Sequence, residues 1–390
     1  MARALELAEA GRYSSHPNPR VGCVIVKDDV VIGEGAHLRA GEPHAEVHAL
    51  RAAGERAKGA EVFVTLEPCN HHGRTPPCVD ALIAAGVSRV YVAMSDPNPL
   101  VAGKGLARLQ AAGIETQVGL LQPAAERLNR GFLSRMRRQR PFVTLKMGAS
   151  LDGRTAMASG ESQWITGAAA RADVHRLRAE AGAVLTSSAT VLADDPALTV
   201  RDWSVNESSL AIPGETSVIS HAPATPSLAS PDAGNRAIQG TIPVPRQPDR
   251  IVLDSRARTP ANARVWAEGA RRFWLCNQLP ASVPASVEAM AIESDASGSI
   301  SLPRALAALA AKQVNHVLVE CGSELAGSFL AAGLVDELVL YIAPSLLGSD
   351  ARGLAALPGL SRLDQRVQLQ FSDVRQVGED LRVTAILKGP

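Results

Sequence analysis

Two α/β domains in tandem are expected from this chain, on three observations. Its 390 residues are too many for one domain at ~150 residues each. A composition 46% apolar and 20% charged supports ordinary globular cores and rules out a disordered or fibrous chain. From Val21 onward, short β-branched runs alternate with helical stretches of roughly ten residues, the pattern of strands joined by crossover helices.

Met1 to Gly11 is short, amphipathic and acidic, without the apolar run of a signal peptide. Strands are expected at Val21–Lys27 and Val30–Glu34, joined by a turn at Asp28-Asp29, and then a helix from His44 to Gly54. The apolar run Glu61–Leu66 reads as a strand and is followed by a loop rich in Pro, Gly, His and Asn. A helix at Pro77–Ala85, a strand at Arg89–Met94, a helix at Gly105–Ala112 and a strand at Ile114–Leu121 follow. The basic run Arg135 to Pro141 closes a first domain at 1–140 and reads as a solvated connector.

A second domain, 141–390, opens with the strand Phe142–Lys146. Its further strands are expected at Ala183–Thr186, Arg250–Asp254, Arg272–Cys276, His316–Glu320, Glu337–Ala343 and Arg382–Leu387. Between Trp203 and Pro248 the periodicity gives way to a Pro- and Ser-rich stretch with few charges, read as a surface excursion (203–248) without chemistry.

Charge and composition narrow the function. Forty Lys and Arg against 39 Asp and Glu leave a formal charge of +1, and four Trp, three Tyr and six Phe offer few stacking platforms, so no nucleic-acid partner is expected. No eighteen apolar residues run together, which excludes a membrane helix and leaves a cytoplasmic location as the expectation. The five cysteines are an odd number without disulfide spacing and are expected to be reduced.

Metal-type chemistry is concentrated near the N-terminus. His44 and Glu46 open a helix, Cys69 follows a strand, and Cys78 opens the next helix. One imidazole and two thiolates make a three-ligand zinc site, one ion per chain, whose fourth position stays open for water. Glu46, two residues from a ligand, is free to carry protons between that water and a leaving amine, the logic of hydrolytic deamination. His-x-Glu alone is weak, and the bland readings are a core histidine and two buried thiols. A closed structural zinc would need a fourth ligand such as Cys23, His71 or His72.

In the second domain no Gly-x-Gly-x-x-Gly follows a strand, so an ordinary Rossmann domain has no support. The strand Val317–Glu320 instead runs into Cys321-Gly322-Ser323, where Gly322 allows close backbone approach and the next helix offers free N–H groups to a diphosphate. A plain strand-to-helix connection explains that turn equally well.

The stretches His16-Pro17-Asn18-Pro19-Arg20-Val21-Gly22-Cys23, His44-Ala45-Glu46 and Glu67-Pro68-Cys69-Asn70-His71-His72-Gly73-Arg74-Thr75-Pro76-Pro77-Cys78 resemble the deaminase half of the bifunctional riboflavin-biosynthesis deaminase–reductases. Eight residues separate the two cysteines, where the broader cytidine-deaminase pattern has two. The motifs Lys146 to Arg154, Ser162 to Thr166, Thr190 to Arg201 and Val319 to Gly322 resemble the reductase half, so the likeness covers nearly the whole chain.

The resemblance implies a cytidine-deaminase-like α/β/α sandwich followed by a dihydrofolate-reductase-like domain. It implies zinc-dependent deamination of 2,5-diamino-6-(5-phosphoribosylamino)pyrimidin-4-one, then NADPH-dependent reduction of the ribosyl group to ribityl. Asn18 would sit near the pyrimidine, and Asn70, His71, Arg74 and Thr75 would line the deaminase pocket or its phosphate end. Gly148, Trp164, Thr190, Asp194, Ser255 and the run Gly322, Ser323, Glu324, Leu325, Ala326, Gly327 and Ser328 would hold the dinucleotide. Ser162, Arg178, Leu198, Arg201 and Glu320 would hold the reductase substrate, with Lys146 near both. A small-molecule substrate and a homo-oligomer, dimer or tetramer, complete the expectation. The rivals are a nucleoside or tRNA deaminase with an appended nucleotide-binding domain, and a zinc-stabilised nucleotide sensor without turnover.

Overall fold

The computed structural model describes residues 1–71, 76–98, 101–201, 203 and 245–388. His72, Arg74 and Thr75 of the expected substrate loop, and most of the Pro/Ser-rich stretch, lie outside the described residues.

The first sheet is built on a hairpin. After helix α1 (Ala2–Glu9), strands β1 (Gly22–Lys27) and β2 (Val30–Ala36) turn on Asp28 and Asp29, whose φ values of 51° and 61° suit a tight two-residue connection. There follow α2 (Ala45–Ala53), β3 (Glu61–Val64), α3 (Cys78–Ala85), β4 (Arg89–Val92), α4 (Lys104–Ala111), β5 (Glu115–Val118), α5 (Gln122–Leu128) and α6 (Arg130–Arg138). The strand order is β2-β1-β3-β4-β5, with β1 antiparallel to both neighbours and β3, β4 and β5 parallel. Cys23, Ile25, Val62, Val64, Val90 and Val92 bury one face against Ala45, Ala49, Val79 and Leu82. Glycines on β2 let α2 lie directly on the hairpin: a Cβ at Gly35 would come within 2.1 Å of Ala45 O, and one at Gly33 within 2.2 Å of Ala49 O. That close approach sets the height of the first turn of α2.

The second sheet is larger. Its elements are β6 (Phe142–Ser150), β7 (Arg154–Ala156), α7 (Ala168–Ala181), β8 (Ala183–Ser187), α8 (Ser188–Asp194), β9 (Asp249–Leu253), β10 (Arg272–Cys276), β11 (Glu288–Ala291), α9 (Leu302–Ala311), β12 (His316–Glu320), α10 (Ser323–Ala331), β13 (Glu337–Ala343), β14 (Arg352–Gly353), β15 (Leu369–Val377) and β16 (Asp380–Leu387). Nine strands lie in the order β11-β10-β9-β8-β12-β6-β13-β16-β15, parallel from β11 to β13 and antiparallel at the β16-β15 edge. Val143, Leu145, Leu185, Ile251, Val317 and Val319 are buried with Phe329 in its core, matching the near-continuous apolar runs of a covered parallel sheet. Strands β7 and β14 pair separately.

One expectation is overturned. The basic run at 135–141 is not a solvated connector: its first part continues α6, whose Phe132 and Leu133 enter the first core. Its cations meet acids of the second half, with Arg138 Nη1 2.7 Å and Arg140 Nη1 2.8 Å from Asp336, and Arg130 at the start of α6 pairs with Glu337. Those acids lie about two hundred residues away, beyond the reach of a local reading. The seam continues where His16 Nε2 bonds the Glu180 carbonyl (2.8 Å) and Arg20 Nη1 lies 3.4 Å from the Glu180 carboxylate. The ends of the 203–248 stretch are anchored: Trp203 packs edge-on against Tyr13 with centroids 4.8 Å apart, and Gln247 bonds both polar groups of the Val200 backbone. Among the described residues, no helix is long and apolar enough to cross a membrane.

Candidate active site

Three element termini converge at the edge of the first sheet. His44 is the N-cap of α2, Cys69 follows β3, and Cys78 begins α3. Their ligand atoms all lie within 4.8 Å of one another, and among the described residues these three form the only such cluster. His44 Nδ1 is 3.2 Å from Cys78 Sγ and 3.6 Å from Cys69 Sγ, while the Cys78 N–H donates to Cys69 Sγ at 3.3 Å. Hydrogen bonding from Cys78 and His44 draws the Cys69 thiol below its usual range, toward the thiolate a metal ligand must be. Cys23, a possible fourth ligand, is fully buried on β1 and outside the cluster. Three soft or borderline ligands, with no fourth among the described residues, suit zinc with an open position.

Glu46 lies in the first turn of α2, 3% exposed, and its Oε2 has no hydrogen-bond partner. A buried carboxylate oxygen without a partner is costly unless something else meets it. Burial raises the Glu46 carboxyl above its ordinary range, with His44 opposing, so it both takes and returns a proton more readily near neutrality. His44, Cys69 and Glu46 face a cavity of about 700 Å³, which Asn18 and His71 also line. Asn18 Nδ2 contacts His37 Nε2 at 3.0 Å, and His37 stands edge-on to His44 with ring centroids 5.3 Å apart. Asn70 points elsewhere, its Oδ1 accepting from Arg108 at 2.9 Å.

Sequence reasoning missed two residues here. Glu67, 3% exposed, accepts from the N–H groups of Asp96, Gly103, Gly105 and Leu106, tying the 96–106 segment to the strand end that carries Cys69. A carboxylate beside Pro68-Cys69 was the available signal. His37 had none, because its partners are set by the folding of the 37–44 loop.

The second constellation gathers at the carboxyl ends of the parallel strands, where open α/β sheets bind ligands. Glu320 ends β12 and stands opposite Lys146 of β6 in register. Arg178 of α7 donates to both Glu320 oxygens (2.6 and 3.0 Å) and to the Thr199 carbonyl (3.0 Å), with Lys146 Nζ 3.9 Å from Glu320. Burial would raise the Glu320 carboxyl, but Arg178 holds it down at about 2. Burial pulls the Lys146 ammonium below its usual range against the attraction of Glu320. Arg178 is thus no surface cation, and Trp164, 70% exposed beneath the Arg171 guanidinium, is no core indole.

The remaining residues fall into two groups. Gly148 faces Thr166, Gln163 reaches Asp194 at 3.5 Å, and the Thr190 N–H bonds the Ser187 hydroxyl, so the Ser162–Thr166 segment, α8 and β6 share one wall. Ser255 follows β9, Arg201 is exposed, and Leu198 is buried with Val191 and Trp266. Gly322 caps α10, and a Cβ there would meet open space, leaving the first turn of α10 approachable. Two later positions of the run face protein. Ala326 is in the core, a Cβ at Gly327 would strike Ala356 O at 1.8 Å, and the Ser328 hydroxyl donates to Glu324 O. Ala326 and Gly327 thus pack the helix against protein, while Ser328 stays exposed.

Known proteins resemble both halves. The family described as cytidine and deoxycytidylate deaminase zinc-binding region matches residues 1–94, and the family described as RibD C-terminal domain matches residues 141–383. The riboflavin biosynthesis protein RibD of Escherichia coli is 54% identical over 382 residues, 98% of this chain and 96% of that protein. The solved structure of Acinetobacter baumannii RibD, form 2, has a TM-score of 0.84 at 42% identity and covers 99% of this chain and 97% of its own. A Thermotoga maritima structure, titled a diaminohydroxyphosphoribosylaminopyrimidine deaminase/5-amino-6-(5-phosphoribosylamino)uracil reductase, has a TM-score of 0.79 at 32% identity and covers 100% of this chain and 97% of its own. A deaminase-type sheet followed by a reductase-type sheet, with a zinc-binding signature confined to the first, is what these relatives share with it, and the chain belongs to the RibD family of riboflavin biosynthesis proteins.

Proposed function

We propose that the chain performs two consecutive steps of riboflavin biosynthesis, a hydrolytic deamination in its first half and a reduction in its second. The observation that carries this is Glu46: a buried carboxylate oxygen without a partner, lining the same cavity as His44 and Cys69 of the His44, Cys69 and Cys78 cluster. One zinc per chain would be held by His44, Cys69 and Cys78 and would supply Lewis acidity and an activated water.

The chain's own groups then do the positioning and the proton work. Glu46 Oε2 takes one proton from the attacking water and gives it to the ring nitrogen, then takes the second from the hydroxyl so formed and gives it to the amine, which leaves as ammonia. Asn18 and His71, lining the same cavity, hold the ring, with Asn18 fixed by His37. The substrate is 2,5-diamino-6-(5-phosphoribosylamino)pyrimidin-4-one, losing its 2-amino group as ammonia. In the second half Glu320, Arg178, Lys146, Ser162, Leu198 and Arg201 surround the ribosyl group, whose reduction to ribityl requires a nicotinamide cofactor, here NADPH. Gly148, Trp164, Thr190, Asp194, Ser255 and Gly322 to Leu325 form its binding wall. A homo-oligomer and a cytoplasmic location belong to the same proposal; exposed Phe371, Val374, Leu381 and Ile386 on β15 and β16 support self-association.

A tRNA deaminase is disfavoured by the balanced charge and by the reductase half. Supplying the diamino substrate with NADPH to the zinc-loaded chain is expected to release ammonia first and then consume NADPH. NADPH consumption without prior ammonia, or neither event, would overturn the reading.

A further inference from the structure

Trp164 is 70% exposed, although a large aromatic ring gains by leaving water. One of its faces is nevertheless occupied: the Arg171 guanidinium lies over the ring with Cζ 4.6 Å from the centroid. Arg171 closes the first turn of α7, and its Nη1 donates to the Thr166 carbonyl at 2.6 Å. It makes no ion pair among the described residues. Both of its side-chain contacts therefore bear on one short stretch, Trp164 to Thr166, and its charge is answered by a ring face instead of an acid.

The foot of that stretch is fixed separately. The Gly167 N–H donates to Asp380 Oδ2 at 2.8 Å, and Asp380 is 1% exposed at the start of β16. The turn between β15 and β16 abuts α7 as well, since a Cβ at Gly378 would lie 2.7 Å from Ala169 Cβ. Thr166 is placed against β6, its methyl 3.4 Å from where a Cβ of Gly148 would stand. With the foot anchored on protein, the indole itself is left to Arg171, its one polar contact among the described residues. The second face of the ring is open, and Gln163 beside it reaches toward Asp194 on α8. A flat ring with one free face, on the wall shared by β6, α8 and the 162–166 segment, suits a planar heteroaromatic ring of a dinucleotide. Fixing the indole before that ligand arrives removes an ordering cost from binding.

We propose that Arg171 is a positioning residue of the reductase half: it holds Trp164 so that the free face of the indole receives the dinucleotide. The inference rests on the reductase reading given above and adds to it a residue that acts through Trp164 and not on the cofactor directly.

The test is calorimetric titration of the full chain with NADPH, without pyrimidine substrate, so that binding is read apart from turnover. Arg171→Met keeps a flexible apolar stem and removes the cation; Kd is expected to rise about three- to tenfold, the range set by one side chain that must be ordered on binding. Arg171→Lys, which keeps a cation over the ring, stays within about twofold of the unaltered chain and shows that the site is intact. In a chain carrying Trp164→Leu, adding Arg171→Met changes Kd by less than about twofold, because the residue through which it acts is gone. An unchanged Kd in Arg171→Met overturns the proposal. So does the same rise with and without the indole, which is what a general loss of folding also gives. An unaltered chain that binds no NADPH refutes the reductase reading, whereas binding that Arg171→Met leaves untouched refutes this proposal alone.

Discussion

Acid should loosen the seam between the halves, and His16 should set the pH at which it does. Its ring is buried against the end of α7 and bonds the Glu180 carbonyl at 2.8 Å. Burial, reinforced by the nearby Arg20 and Arg246 cations, pushes the imidazole down to about 4 from its usual 6.5. A histidine whose folded value is depressed costs nothing above pH 6.5, where both states are neutral. As the pH falls from 6.5 toward 4, only the separated or unfolded chain gains the proton, so stability falls through that window. At pH 5.0 the difference amounts to about 2 kcal/mol. His16→Gln keeps a donor for the carbonyl and removes the titration. Urea unfolding of both chains at pH 7.5 and 5.0 gives a double difference in which the other titrations cancel. Glu180 acts in the same direction at lower pH: Arg12 and Arg20 hold its carboxyl far below 4.5 despite burial, so its contribution is kept above that value and lost beneath it. Parallel pH dependences for the two chains between 7.5 and 5.0 would refute the assignment to His16.

Cys69→Ser or Cys78→Ser should abolish bound zinc, measured by metal analysis of the purified chain, because thiolates supply much of the affinity; full occupancy in either would displace these ligands. Glu46→Gln should keep zinc and fold yet slow ammonia release by about 10²–10⁴, with reduction of the already deaminated substrate unchanged. Arg258 reaches the Ser188 hydroxyl at 3.1 Å beside the start of α8, and Arg256 is exposed in the same loop. Converting both to Ala should raise KM for NADPH by about tenfold or more and leave NADH little changed, since only the former carries a 2′-phosphate for the forks. Gly327→Ala should destabilise the second half by about 1–3 kcal/mol in thermal or urea unfolding, because the new methyl meets the Ala356 carbonyl.

What was legible in the sequence was whatever obeys a local rule. Strands His316–Glu320, Glu337–Ala343 and Arg272–Cys276 fall where their apolar runs place them, since both faces of a parallel strand are covered. The metal-type cluster could be read because each member sits at an element terminus, and the sheet brings successive termini together. Strands β11 and β15 were missed: both are partly or largely exposed, and their periodicity lacks a buried face to impose it. Helix α6 was hidden by its own arginines, whose partners Asp336, Glu337 and Asn315 lie in another domain. The reach of Arg246 and Arg271 into the first half's cavity follows from docking alone, and no spacing along the chain encodes it.

Strand direction in the second sheet has a consequence for how the two steps can be coupled. Gln313 and Arg271 meet the first cavity just ahead of β12 and β10, while Glu320 closes the far end of β12. Five residues of strand separate these edges by ~13–16 Å, and the space between is filled by buried side chains such as Val317 and Val319. Among the described residues, then, the strand leaves the intermediate no bore to pass through. It must dissociate, circle the sheet through bulk water and be recaptured. Joining the halves guarantees equal numbers of both catalysts rather than a private transit, so the coupled reaction should show a lag that lengthens with dilution and viscosity, and a competing scavenger of the intermediate should intercept flux.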